Sequence, residues 1–155
     1  MSIKVQKSNL YFIDPYDNSV VDVECYTNFS GLSNPASEID VTCIADDARQ
    51  WVSGLKEPGS VTFGLNPDDR NDSHIRLKQL EDSGEVLNWA LAALEGSAPP
   101  TADSDGEFVL PSDRVWWLFS GYVQDFPLEG NMNDVYRSTV TIRQSGKSTW
   151  VPRSS

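Results

Sequence analysis

Residues 37–66 read SEIDVTCIADDARQWVSGLKEPGSVTFGLN. In 37–44, Ile39, Val41 and Cys43 alternate with Glu38, Asp40 and Thr42. Successive side chains of a strand point to opposite faces, so this alternation predicts a strand with one apolar and one wet face. In 60–66, Val61, Phe63 and Leu65 alternate with Ser60, Thr62 and Gly64, which predicts a second strand. Between them, Asp46–Val52 predicts a short helical turn with an acidic start that closes at Gly54. Pro58-Gly59 predicts a turn.

Working outward, the same period recurs. Residues 3–13 read as a strand, followed by the turn Asp14-Pro15-Tyr16-Asp17-Asn18. In 19–25, Val21, Val23 and Cys25 alternate with Val20, Asp22 and Glu24. Residues 26–36, rich in Asn, Ser, Gly and Pro, read as an irregular connection that carries Tyr26, Phe29 and Leu32. A helix over 73–82 is predicted, capped by Asp72 or Ser73, ended by Gly84, with Ile75, Leu77 and Leu80 on its apolar side. Residues 85–94 fit a helical stripe and a strand alternation equally. Residues 95–112, with adjacent prolines, read as a long surface loop. Residues 114–126 predict a strand with apolar side chains on both faces: Trp116, Leu118 and Tyr122 against Val115, Trp117, Phe119 and Val123. Such a strand lies between two layers, or between a core and a partner. Residues 135–146 and the short KSTWV give the last strands, before a polar tail at 152–155. The expectation is one domain spanning 1–155. Its fold is mainly β, an antiparallel sandwich or partly open barrel with one or two short flanking helices.

Charge narrows the function. The chain has 23 acidic and 12 basic side chains, a net −11. Binding nucleic acid through its phosphates needs clustered Lys and Arg, so that class is disfavoured. A surface that repels phosphate suits a channel through which DNA slides without sticking. The N-terminus lacks the apolar run and cleavage site of a secretory signal, and no apolar run has the ~20 residues that span a bilayer. Neither secretion nor a membrane is therefore expected. In that setting Cys25 and Cys43 read as reduced, buried thiols.

The motifs that could carry chemistry have simpler readings. Asp103-Ser104-Asp105-Gly106 opens like a calcium loop but lacks the later ligands and the closing Glu, so a flexible acidic loop is expected. Asn28-Phe29-Ser30 and Asn71-Asp72-Ser73 fit the glycosylation sequon by chance. His74 has no nucleophile or metal-ligand set around it in sequence. The carboxylate pairs Asp46/Asp47 and Asp68/Asp69 read as turns and caps. Trp116-Trp117 could suggest a sugar platform, but alternation sends the rings to opposite faces. No catalytic residue, cofactor or metal is expected.

The order and spacing of several segments carry a resemblance. The stretch 37–66, then GEVLNWALA, VWWLFSGYVQDFP and NDVYRSTVTIRQSGK, resembles the siphophage major tail tube proteins over about residues 20–151. The resemblance implies a sandwich with a flanking helix and six subunits per ring. It also implies rings stacked into a non-contractile tube that conducts viral DNA without binding it specifically. It favours a strand for 85–94. The two strands flanking a long loop would line the lumen, here 19–25 and 37–44, with Asp22, Glu24, Glu38 and Asp40 facing the channel. Loop 26–36 would touch the next ring. Phe29, Leu32, Phe108 and Trp117 are the candidates for contact between subunits, and loops 26–36 and 95–112 are expected to order on assembly. Partners would be other copies of the chain and the tail proteins at the tube ends. The location would be the virion tail, after assembly in the host cytoplasm. The type VI secretion tube protein shares the fold. The alternative in another class is a carbohydrate-binding sandwich, which would stay monomeric.

Overall fold

The alternation at 60–66 becomes strand β6 (Ser60–Leu65), with Val61, Phe63 and Leu65 buried. The computed structural model describes residues 8–23, 26–33, 35–57, 59–68, 70–93, 99–146 and 148–152. Among these, β1 (Asn9–Ile13), β2 (Val20–Val23), β3 (Tyr26–Ser30), β4 (Ala36–Asp40) and β5 (Trp51–Lys56) precede β6. Helix α1 (Asp72–Ser83) follows it, then β7 (Leu87–Ala93), β8 (Thr101–Ala102) and β9 (Phe108–Val109). The chain ends with β10 (Val115–Asp125), β11 (Ser138–Gln144) and β12 (Thr149–Val151).

An eight-stranded antiparallel sheet runs β2-β1-β7-β10-β11-β6-β3, with β12 paired beside β10. The sheet rolls around one face. β6 lies three strands from β7, roughly 14 Å across a flat sheet. Yet Phe63 of β6 packs on Trp89 of β7 at 6.3 Å between ring centroids, and Phe29 of β3 packs on Phe119 of β10 at 6.1 Å. Leu77 and Leu80 of α1 cap this concave core. Among the described residues the sheet's end strands, β2 and β3, do not pair with each other, so the result is a partly open roll rather than a closed barrel. The opposite face has a smaller core of Tyr11, Ala90, Ala92 and Trp116, covered by Phe108 and Leu110. Strand β10 is thus covered on both faces, as its sequence predicts.

Several expectations are corrected by pairing. Residues 26–36 are not all loop: 26–30 form β3, paired to β6 with a register shift between Tyr26 and Asn28. The Asn28 side chain accepts the Gly64 N–H, so a loop-like composition here is an irregular edge strand. The helical turn at 46–52 is absent. Trp51 instead begins β5, because the Val41 N–H bonds the Gln50 carbonyl and the Thr42 hydroxyl accepts the Gln50 N–H across a hairpin. The strand predicted over 37–44 ends at Asp40, and Cys43 beyond it is exposed rather than buried. Residues 101–109 of the long loop form the β8–β9 hairpin. The helix is capped by Asn71 rather than Asp72 or Ser73, and Ile75 faces water. Residues 85–94 resolve as strand, since Leu87–Ala93 bonds β1 on one side and β10 on the other. Residues 1–7, Glu24, Cys25 and 153–155 lie outside the described residues.

Candidate assembly surfaces

Among the described residues, strands β4 and β5 pair only with each other and form an arm apart from the main sheet. Every residue from 38 to 53 is exposed. Register sorts the arm's side chains. Ile39 faces Val52 on one side, and Asp40 faces Trp51 on the other. Ile44 at the tip is fully exposed and Leu55 is 82% exposed. A lone two-stranded hairpin is marginal in water. One with apolar side chains on both faces needs cover that the other described residues do not supply. Glu38 and Asp40 stand on the arm with exposed carboxylates. The Asp40 carboxyl is held below its ordinary range by hydrogen bonds from Thr42, with help from Arg49, whose guanidinium lies 2.6 Å away.

A second exposed apolar group lies in the connection 126–137. Leu128, Met132, Val135 and Tyr136 all face water there. This loop is closed by a two-way backbone pair, Glu129 N–H to Arg137 O and Arg137 N–H to Glu129 O, both 2.8 Å. The Tyr136 ring lies against Gly130, where an added Cβ would sit 2.5 Å from it. Four large apolar residues inside a Gly- and Asn-rich loop were a readable signal, which strand periodicity passed over.

The sequence-predicted residues are dispersed. Asp22 sits half-buried on edge strand β2, in a groove shared with Asp68, Arg70 and Asp72. Glu38 and Asp40 lie in the separate β4–β5 sheet, so the structure does not unite them with Asp22 in one strand pair. Glu24 falls outside the described residues. Phe29 and Leu32 pack on the main core, and Phe108 packs on the smaller one. Trp117 is half-buried, opposite Trp150 of β12.

The remaining motifs have local structural roles. Asp103 Oδ1 accepts the N–H groups of Asp105 and Glu107 and so shapes the β8–β9 turn. Buried His74 accepts the Asp68 N–H at Nδ1, tying the helix to the preceding loop. Asp46 accepts the Cys43 N–H at the arm tip. No group of three or more potential ligands gathers as a metal site among the described residues. No helix there is long and apolar enough to cross a membrane.

Comparison with known proteins agrees with this architecture. The family model described as phage tail tube, TTP, lambda-like matches residues 1–154. Structural protein 3 of Pseudomonas phage PAJU2 is 40% identical over 156 residues, covering 98% of this chain and 95% of that protein. A chain of the anti-feeding prophage baseplate has the same fold, with TM-score 0.71 at 11% identity over 98% of this chain and 97% of that one. A tail chain of the empty GTA particle, refined with C6 symmetry, gives 0.69 at 12% over 97% and 99%. The SPP1 tail tube gives 0.69 at 10% over 96% and 78%. The chain belongs to the lambda-like phage tail tube protein family, and is a structural subunit of the virion tail rather than an enzyme.

Proposed function

We propose that this subunit forms hexameric rings that stack into the tail tube, and that the lumen conducts viral DNA during ejection. The observation that carries this reading is the open sheet. Among the described residues, β2 and β3, which follow each other in the chain, each pair on one side only, leaving two different edges of one rolled sheet. An unpaired edge is a template for another chain. Two unlike edges joined head to tail make a heterologous contact, which closes into a ring when the rotation allows. Sixfold closure is favoured by the C6 refinement of the GTA tail with the same fold. In this reading Asp22, Glu24, Glu38 and Asp40 face the lumen, where carboxylates repel phosphate over about 8–10 Å at physiological salt. The subunit is assembled in the host cytoplasm and meets other tail proteins at the tube ends.

Electron microscopy of concentrated protein or purified tails tests this directly. Rings with sixfold symmetry, stacked along an axis, are expected. A protein that stays monomeric at all concentrations and is missing from virions would overturn it. Replacing the four carboxylates by Lys should leave tubes intact and stall DNA passage. A reconstruction that puts these side chains on the outer surface would refute their assignment.

A further inference from the structure

Among the described residues, one edge of β3 bonds β6 and the other bonds no strand. The register of β1 on β2 says what fits that second edge. Leu10 pairs Val23 and Ile13 pairs Val20, one residue back for each residue forward. Carried toward the N-terminus, the same register sets residues 3–7 opposite 26–30, which is β3 from end to end. The bulge between Tyr26 and Asn28 shifts a partner by one residue and leaves the overlap. Two further observations place the segment there. Only two residues separate β2 from β3, so Val23 and Tyr26 are at most about 11 Å apart and the two ends of the sheet meet. The Ser8 side chain hydrogen-bonds that of Tyr26, which holds the chain just before β1 beside the start of β3.

We infer that residues 3–7 of the free subunit pair along the second edge of β3 and close the roll, so that they must leave before a neighbour can take that edge. This rests on the ring reading above and adds the contact that holds the edge beforehand. A strand edge accepts one partner at a time, so the N-terminal segment is an intramolecular competitor of ring closure. β3 needs such cover, because its sequence YTNFS has neither the charge nor the proline with which edge strands resist stray pairing. Two arguments favour the subunit's own segment over that of a second copy. Held at Ser8, it meets β3 at an effective concentration on the order of millimolar. Residues 1–13 also contain Lys4 and Lys7 and no acidic residue, in a chain of net −11, so charge holds the segment to its own body.

A cross-link tests the pairing in the full chain. With Cys25 and Cys43 replaced by Ser, Lys4→Cys and Ser30→Cys should be joined within one free subunit by a short bismaleimide. The joined subunit should lose ring and tube growth, and the same variant left unjoined should grow as the wild type does. Val5→Pro removes a donor and blocks strand pairing. It should lower the critical concentration for growth at least threefold and speed amide exchange over 27–30 in the free subunit. Val5→Thr, which keeps both the donor and a β-branched side chain, should leave both within twofold. No cross-link in the free subunit, undiminished growth of the joined subunit, or slower growth of Val5→Pro would each overturn the inference. Failure of the wild-type chain to form rings would instead overturn the ring reading, and the cross-link would still decide the pairing.

Discussion

At the scale of single residues, Trp89 joins the two halves of the rolled sheet. It is fully buried, stacked on Phe119 with ring planes 4° apart, and touched by Phe12 and Phe63. Its indole N–H bonds the Gly121 carbonyl at 3.1 Å. Trp89→Ala should cost about 3–5 kcal/mol in urea unfolding, since a large cavity opens and a buried carbonyl loses its donor. A loss below about 1 kcal/mol would show that the sheet closes over the gap. Arg76 gives a different test. It holds the mostly buried Asp14 through two hydrogen bonds of 2.7 and 2.8 Å. Those bonds hold the Asp14 carboxyl below its ordinary range, with the Tyr16 N–H assisting and burial opposing. The stabilisation is fully present above the unfolded carboxylate's value, near pH 4, and is lost as pH falls through the lowered folded value. Arg76→Met should therefore cost about 1–2 kcal/mol at pH 7, with the deficit shrinking in acid. An unchanged deficit from pH 7 to pH 2 would exclude this origin. The sequence shows Asp14 as a turn residue, but an ion pair spanning 62 positions has no local signature.

At the scale of elements, α1 was legible because its signals are local. Leu77 and Leu80 recur at helical spacing, and Gly84 ends the helix at φ +69° with its N–H on the Leu80 carbonyl. The N-cap was misplaced because Asn71, Asp72 and Ser73 are all competent caps. Only the bond from Ser73 N–H to Asn71 Oδ1 selects among them. Asn71→Ala and Gly84→Ala should each cost about 1 kcal/mol, and the double variant about twice that, lowering Tm by roughly 2–4 °C per kcal/mol. A double variant no worse than either single one would show that the helix frays without affecting global unfolding. The arm was half legible. Its first strand alternates clearly, but β5 exists only because Gln50 and Trp51 find partners across the hairpin.

At the scale of the whole molecule, stability and assembly should separate. Trp51 and Leu55 are 52% and 82% exposed on an arm that pairs with no other strand among the described residues, so Trp51→Glu with Leu55→Glu should shift subunit stability by no more than about 0.5 kcal/mol. The same pair should abolish tube growth measured by light scattering. A strongly destabilised subunit would show that the arm folds back on the body. Net −11 adds a salt dependence: subunits repel at long range, and about 0.15 M salt shortens that repulsion to about 8 Å. Tube growth should accelerate from low to physiological ionic strength, and slower growth would point to ion pairing across the interface.

The sequence alone determined the sheet's interior. β6, β10 and β11 carry periodic apolar residues whose faces are set by strand geometry, and their burial follows from that period. It determined as well that both faces of β10 would be covered. Tertiary structure alone decided what covers each apolar face. Phe29, Leu32 and Phe108, read as anchors for a neighbour, turn into the subunit's own cores. Ile39 and Val41, read as core, turn outward on the arm. Alternation reports that a face avoids water, which is a property of a few consecutive residues. Whether its own chain or another copy supplies the cover depends on where distant strands pair, and no local pattern encodes that.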